Sequence, residues 1–387
     1  MVRPATKVLK EYDVTATRGF LPESDPLLAF DTGDYDRPIA NYLREFDRLG
    51  AELPGRLEDG TLRPAVRDLE PPPDGLFEVL SGRETIRLCL LSGFFASAYV
   101  NEIGADPVDR LSAGAAVPLY RTSQRFGRKP ILSYDMLCLH NWQRREPDSG
   151  FDAENLDTVQ QFTSLSDERW FVAIHVAIEA TAGSALTACA RAQRAVRNDD
   201  LDALLATLEA IGDSLEEQTA IMGRMTENND PEAFARRYRP YYDGFDEVVY
   251  EGVDELEGTS RTFRGGSGAQ SSVLPSIDAA LGIDHAATDL IEKLLDMRSY
   301  MPEAHRSVIA AFDEGPDVGQ YVADSGREDL RTEYNRCMDE LGAFREVHFG
   351  QVAQYIKAVT GDTTGTGGTD YMQFLPMLKK ETEARKI

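Results

Sequence analysis

Two histidines in this chain stand on the apolar faces of segments with helical periodicity. His348 continues a stripe of apolar residues spaced by three and four, which is the spacing of one face of an α-helix. His175 lies on a second stripe, within 168–196. A neutral imidazole held by a rigid helix can bind a metal ion or a haem iron; its alternative role is that of a core histidine whose hydrogen bonds are satisfied within the protein. The spacing alone leaves both interpretations open.

The surroundings of the two histidines favour haem over zinc. The sequence contains no HExxH and no His-x-His cluster, which are typical of zinc sites. Its four cysteines, Cys89, Cys138, Cys189 and Cys337, are scattered and form no CxxC pair. We interpret them as small buried apolar residues, so zinc fingers, iron–sulfur clusters of the usual spacings and a disulfide scaffold are excluded.

Two glycine-rich segments, 265–272 (GGSGAQSS) and 365–370 (GTGGTD), are candidates for ligand-binding loops. Neither ends in the Gly-Lys-Ser/Thr of a phosphate-binding loop, and no predicted strand precedes the first as in a dinucleotide-binding turn. The plain interpretation is a flexible turn before a helix near Ser271 in one case and a linker in the other. The alternative for either segment is a mobile lid over a site.

Most of the chain around these candidates has the periodicity of helices, which predicts an all-α fold. No segment alternates polar and apolar residues for long enough to form a substantial sheet. Within the segment 1–75 we expect one helix, at 38–50, and we expect turn-forming material at 113–130. Further helices are predicted at 82–103, 131–142, 168–196, 199–226, 231–239, 270–281, 284–298, 303–313, 316–323, 328–359 and 371–382.

An acidic loop at 145–160 divides the chain into two predicted domains. Residues 1–155 are expected to form a smaller N-terminal domain, and residues 156–387 a large helical domain that includes a connecting loop at 244–268. The length of 387 residues agrees with this division, because domains typically contain roughly 150 residues.

The composition excludes several classes of partner. Lys and Arg number 41 against 66 Asp and Glu, so the formal net charge is −25, which repels nucleic-acid phosphates and anionic bilayers. The N-terminus lacks the apolar core of a signal peptide, and no run approaches the roughly 20 apolar residues of a membrane helix. We therefore expect a cytoplasmic protein with no nucleic-acid or membrane partner.

Several segments, taken together, resemble the indoleamine 2,3-dioxygenase family. They occur in the order and roughly the spacing of that family, and the resemblance extends from the region of Leu76 to the end and fades within the segment 1–75. The matching stretches are 263–272 (FRGGSGAQSS), 277–283 (IDAALGI), 296–306 (DMRSYMPEAHR), 344–356 (FREVHFGQVAQYI) and 365–375 (GTGGTDYMQFL).

The resemblance implies a two-domain, all-helical haem protein in which the smaller domain forms the roof of the site. It makes His348 the proximal ligand of a haem b iron that is Fe(II) in the active state. Asp278 and Arg345 match the ion pair beneath the haem, which would orient the ligand helix and tune the iron.

The family's substrate pocket also has counterparts in this chain. Phe234 and Arg239 match the aromatic residue and the arginine that hold the substrate, and a guanidinium suits a carboxylate because it donates two parallel charge-assisted bonds. Gly266, Ser267 and Gly268 would lie against haem and substrate, and Thr366 would belong to a loop that closes over the amino acid. The residues that match the walls of the indole pocket are Tyr134, Leu137, Cys138, Phe171 and Val172.

The family reaction adds both atoms of O2 across the indole C2=C3 bond of L-tryptophan and gives N-formylkynurenine; it needs ferrous iron and therefore a reductant, here unidentified. His175 stands where the family commonly has serine, and it would hydrogen-bond the indole nitrogen or bound O2, or indicate a different indole. Val172 and Tyr242 also depart from the Phe and Leu of better known members. The alternatives are a haem oxygenase of secondary metabolism acting on a modified tryptophan and a non-catalytic O2-binding protein, against which Arg239 and Ser267 argue.

Overall fold

A computed structural model of the protein describes residues 3–285 and 288–387. Its helices, in chain order, are α1 (Ala5–Glu11), α2 (Arg37–Glu58), α3 (Leu62–Arg67), α4 (Leu76–Val79), α5 (Gly82–Val100), α6 (Ala113–Arg125), α7 (Ser166–Asn198), α8 (Leu201–Gly223), α9 (Pro231–Ala233), α10 (Val273–Leu281), α11 (Asp289–Met297), α12 (Glu303–Asp313), α13 (Val318–Ser325), α14 (Glu328–Val352), α15 (Ala358–Thr360) and α16 (Tyr371–Glu383). The strands are β1 (Arg110–Leu111), β2 (Gln143–Arg144), β3 (Leu156–Asp157), β4 (Phe245–Tyr250) and β5 (Arg261–Phe263). The predicted all-α class is confirmed; the division into two domains at residue 155 stays a prediction.

Three long helices form the centre of the described structure. α7 packs along α8, α8 packs along α14, and α16 also lies against α14. Their contact faces are the apolar stripes that the spacing of three and four predicts, and Ala182, Leu186 and Leu341 are fully buried there. α10 packs against both α7 and α12, so helices from distant parts of the chain surround one central volume.

α7 requires a correction to the expectation about membrane-like segments. This 33-residue helix contains an 18-residue window with a mean hydropathy of 1.4, so its length and composition would allow it to cross a membrane. Within the protein, 72% of that window is buried. A core helix covered by other helices has the same composition as a membrane helix, because both are surrounded by apolar groups.

Three predictions about the smaller elements are wrong. The predicted turn material at 113–130 contains α6, whose buried face includes Ala115 and Leu119; burial there outweighs the helix-breaking tendency of Pro118. The segment 1–75 contains α1 and α3 besides α2. Short helices bury few residues each, so their periodicity is too brief to detect.

The third correction concerns 244–268, for which the sequence predicts a loop. It contains β4 and β5, which pair antiparallel with Phe245 opposite Phe263, and β1 adds to β4 in parallel. The strands are short and carry turn residues between them, which hides their alternation. Because β5 ends at Phe263, the sheet fixes the start of the glycine-rich segment 265–272.

Candidate functional site

The predicted site residues meet around one cavity of about 280 Å³ between α7, α10, α14 and the two glycine-rich segments. Its lining includes Tyr134, Leu137, Phe171, His175, Phe234, Arg239, Gly266, Ser267, Gly268, Asp278, Arg345, His348 and Thr366. Cys138 and Val172 do not line it; both are buried behind the wall. Segments that are far apart in sequence therefore enclose a common volume.

His348 faces this cavity from α14 without a protein partner. No group in residues 3–285 and 288–387 hydrogen-bonds to its ring, and burial lowers the pKa of His348 to about 4, so the imidazole is neutral at pH 7. A core histidine would be expected to satisfy its ring nitrogens within the protein. A neutral, unpartnered imidazole at a cavity wall instead fits an axial ligand of haem iron.

A chain of ionisable groups begins at Arg345, one turn before His348 on α14. Arg345 Nη2 donates to both carboxylate oxygens of Asp278, at 2.8 and 2.7 Å. Asp278 also accepts from His285 Nε2 at 3.1 Å, and the other ring nitrogen of His285 lies 2.7 Å from Glu381. Burial acts to raise the pKa of Asp278, but Arg345 and His285 outweigh it and hold that pKa below its usual range. Sequence reasoning identified Asp278 and Arg345 but missed His285 and Glu381.

His175 has one ring nitrogen occupied and one open. Its Nδ1 lies 2.8 Å from the backbone carbonyl of Phe171. The carbonyl can only accept, so Nδ1 carries the hydrogen of the neutral ring and Nε2 is left as an acceptor. Burial lowers the pKa of His175, which favours this neutral form. The histidine therefore offers a hydrogen-bond acceptor to whatever fills the cavity.

An aromatic wall flanks His175. The ring of Phe171 lies 4.4 Å from the His175 ring, 5.3 Å from Phe234 and 5.8 Å from Tyr242, measured between centroids. Tyr134 approaches His175 from another side at 5.9 Å. These rings, tilted against one another, give the cavity a largely apolar aromatic wall, which suits an aromatic ligand.

Arg239 is a buried cation without a carboxylate partner. Its side chain donates from Nη2 to the carbonyl of Thr364 at 3.2 Å, and it is only 8% exposed. Within the described part of the chain, no carboxylate lies within ion-pair distance of this guanidinium. Burying an unpaired charge is costly, so the site is suited to an anionic group supplied by a ligand.

The two glycine-rich segments lie against each other at the cavity. Gln270 fixes the first: its Oε1 accepts from the backbone N–H of Tyr134 at 3.0 Å, and its Nε2 donates to the carbonyl of Gly265 at 2.9 Å. The hydroxyl of Thr366 donates to the carbonyl of Gly266 at 2.6 Å. Of the two interpretations left open by the sequence, this arrangement favours loops of a site over unattached linkers.

Glu179 is a cavity residue that sequence reasoning missed. It follows His175 by one helical turn, its side chain is buried, and its Oε1 accepts from the hydroxyl of Ser271 at 2.6 Å. Burial raises the pKa of Glu179 to about 7. The available signal was an acidic residue on a helix face that is otherwise apolar.

The raised pKa of Glu179 predicts that the free energy of unfolding depends on pH. The folded protein holds this proton more tightly than the unfolded chain, whose glutamate pKa is about 4.5. The resulting stabilisation is complete below pH 4.5 and is lost as the pH rises through 7, a loss of up to about 3 kcal/mol. We expect Glu179→Gln to remove this loss, measured as the difference in urea midpoint between wild type and variant over pH 4.5–8.

The exposed Glu217 on α8 provides the matched control. Glu217→Gln should leave the pH dependence of the urea midpoint as in the wild type. If the curves of wild type and Glu179→Gln run parallel across this range, Glu179 does not titrate in the way proposed.

Comparison with known proteins gives a consistent result. A model of the family described as "IDO: Indoleamine 2,3-dioxygenase" matches residues 8–362. The chain is similar to indoleamine 2,3-dioxygenase 1 of Rattus norvegicus, with 32% identity over 97% of this chain and 95% of the relative. It is also similar to indoleamine 2,3-dioxygenase of Saccharomyces cerevisiae (28%, covering 97% and 93%) and to indoleamine 2,3-dioxygenase nanC of Aspergillus nanangensis (29%, covering 99% and 98%). The similarity therefore reaches into the segment 1–75, where the sequence predicts that the resemblance fades.

Proposed function

Since the chain belongs to the indoleamine 2,3-dioxygenase family, we propose that it is a haem-dependent dioxygenase. Its reaction inserts O2 across the indole C2=C3 bond of L-tryptophan or a close indole and gives N-formylkynurenine. The observation that carries this proposal is that the same cavity is lined by the imidazole of His348, which has no hydrogen-bond partner in the described residues, and by the guanidinium of Arg239, which has no carboxylate partner there. The first group suits a haem iron and the second an amino-acid carboxylate.

The residues that line the cavity on α10 and α14 fit a haem b group. His348 would be its axial ligand, and the ion pair of Asp278 and Arg345 would hold α14 against α10 so that the imidazole keeps its direction. When bound, the haem supplies O2 binding and activation at ferrous iron. An electron donor is then a required partner, because the iron must be kept in that state.

The chain's own contribution is to bind and orient the substrate. Arg239 would hold the carboxylate through its free donors, while Phe171 and Phe234 would hold the indole ring against the wall. Gly266, Ser267 and Gly268, which also line the cavity, would contact haem and substrate. Closing of the Thr366 loop would exclude water, and fixing the reacting ring in place lowers the entropic part of the barrier.

His175 would accept a hydrogen bond from the indole N–H. The Phe171 carbonyl fixes the tautomer with Nε2 as acceptor, and an acceptor matches the indole nitrogen, whereas bound O2 would call for a donor. His175 is thus proposed to act on the substrate.

Replacing His175 by alanine is expected to leave catalysis in place but change the choice of substrate. We expect kcat/KM for tryptophan to fall about tenfold, since one buried hydrogen bond is lost, and kcat/KM for N1-methyltryptophan, which has no N–H, to change much less. Steady-state kinetics with both substrates measures this ratio. An unchanged ratio would refute the role assigned to His175.

The test of the proposed function is direct. Haem-loaded protein, reduced without air and then given tryptophan and O2, should build up the absorbance of N-formylkynurenine. A stable oxygenated spectrum without product would instead favour an O2-binding protein. Product from a ring-modified tryptophan but not from tryptophan would favour a haem oxygenase of secondary metabolism.

A further inference from the structure

Residues 364–368, here called the lid loop, form part of the cavity wall immediately before α16. Thr364 pairs with Asp370 in an isolated β-bridge, which closes the loop at its base. Gly365, Thr366 and Gly367 line the cavity. The position of this loop therefore decides whether the cavity is closed on that side.

The inner face of the lid loop is attached to the site itself. Arg239 donates to the carbonyl of Thr364, and the backbone N–H of Gly265 donates to the carbonyl of Thr366 at 3.2 Å. Arg239 and Thr366 are already assigned to substrate binding. A substitution that removes either contact would therefore also alter the substrate site.

The outer face is held by a residue outside that set. Arg264 Nη1 donates to the carbonyl of Gly367 at 3.0 Å, and Arg264 Nε donates to Asp296 Oδ2 at 2.6 Å. The backbone N–H of Arg264 also donates to the hydroxyl of Tyr300 at 2.8 Å. The guanidinium of Arg264 thus joins the lid loop to the last turn of α11. The backbone of Arg264 is held in addition by Tyr300, in the turn that follows α11.

The end of the lid loop that contacts Arg264, Gly367 and Gly368, has no side chain of its own, whereas Thr366 is already bonded to the Gly266 carbonyl. A Cβ on Gly367 would overlap the Met297 methyl group, and Gly368 has a φ of +75°, which favours glycine. The positive φ restricts Gly368, and both glycines offer only backbone groups to a partner. Arg264 supplies the side-chain contact to this end of the loop, through its hydrogen bond to the Gly367 carbonyl.

We propose that Arg264, oriented by Asp296, is a positioning residue that latches the lid loop over the substrate cavity. It controls how often the loop opens and thus how fast substrate leaves, and it takes no part in the chemical step. The effect on substrate rests on the proposed function; the effect on the loop does not.

The exposure of the latch makes it reversible. The side chains of Arg264 and Asp296 are 29% and 48% exposed, and an exposed ion pair contributes little because water and salt screen it. We expect its loss to raise the open population of the lid loop about fivefold, and added salt to shift the wild type in the same direction.

The experiment compares Arg264→Ala with Arg298→Ala in the haem-loaded protein. Arg298 is a matched control because it lies close to Asp296 in sequence and pairs with Asp313 at 3.6 Å, away from the lid loop. Hydrogen exchange of the Gly265 amide, whose acceptor is the Thr366 carbonyl, reports on opening. We expect about fivefold faster exchange in Arg264→Ala and wild-type exchange in Arg298→Ala.

Two further variants separate the latch from a general structural effect. Arg264→Lys keeps the charge but replaces the two separate donors, Nε and Nη1, by a single ammonium group, so its exchange should fall between wild type and Arg264→Ala. Adding Asp296→Asn to Arg264→Ala should not increase the exchange rate of the Gly265 amide further. In turnover, Arg264→Ala should raise the KM for tryptophan and leave kcat at or above the wild-type value.

The outcomes distinguish the latch from the proposed reaction. Wild-type exchange at Gly265 in Arg264→Ala overturns the latch, whatever the activity. Faster exchange in Arg264→Ala together with a lowered kcat and an unchanged KM also overturns it. Faster exchange in Arg264→Ala but not in Arg298→Ala, in a protein that does not turn over tryptophan, supports the latch and counts against the proposed function.

Discussion

Replacing His348 by alanine is expected to abolish haem retention and, with it, turnover. The proposed iron ligand would be lost, and no other histidine of α14 could take its place. Loss of groups that merely support a ligand lowers metal affinity about 10- to 100-fold, so loss of the ligand itself should cost at least about 100-fold. The measurement is the ratio of Soret to protein absorbance after gel filtration of haem-loaded protein.

Two controls make this prediction specific. Added imidazole should restore part of the Soret band in His348→Ala, because the truncated side chain leaves a space of matching shape. His140→Asn, at a histidine that does not line the cavity, should keep its haem. A normal Soret band in His348→Ala without imidazole would contradict the assignment of the ligand.

Replacing Arg239 by glutamine is expected to lower kcat/KM for L-tryptophan by about 10- to 100-fold, mostly through KM. The buried guanidinium has no carboxylate partner in the described residues, so its interaction with the substrate carboxylate is charge-assisted and little screened by water. Steady-state kinetics over a range of tryptophan concentrations separates KM from kcat.

A substrate analogue separates this role from the contact of Arg239 with the lid loop. Tryptamine lacks the carboxylate, so Arg239→Gln should barely change kcat/KM for tryptamine. The control is Arg237→Gln, at the neighbouring exposed arginine, which should leave kcat/KM unchanged for both substrates. Equal losses for tryptophan and tryptamine would show that Arg239 acts through Thr364 and not through the carboxylate.

The long helices could be predicted from the sequence because burial imposes a period on it. α5, α7 and α8 begin and end within a few residues of the predicted segments 82–103, 168–196 and 199–226. The same periodicity placed His348 on a buried face before any contact was known. The predicted helix 328–359 is also found: α14 continues through a π-helical turn, Ala353–Lys357, into α15, which ends at Thr360.

The smaller elements could not be predicted, since tertiary contacts decide them. α6 forms despite Pro118 because its apolar face is covered. The pairing of β4 with β5 depends on the turn between them and on β1, which comes from a distant, earlier part of the chain. The helix or strand propensity of a segment includes neither the burial of its face by other elements nor its pairing with a distant strand.

The sequence by itself determined the helical class, the family resemblance and the residue types that could bind haem and an amino acid. Only the tertiary structure decided which of them meet and which partners they lack. Glu179 lies 92 residues from Ser271, and His285 lies 96 from Glu381; periodicity describes a face of one helix and says nothing about which distant residue that face will contact. Among the described residues, His348 has no hydrogen-bond partner and Arg239 has no carboxylate partner. Both are likewise properties of the folded cavity, because a missing contact is defined only when the neighbours are in place.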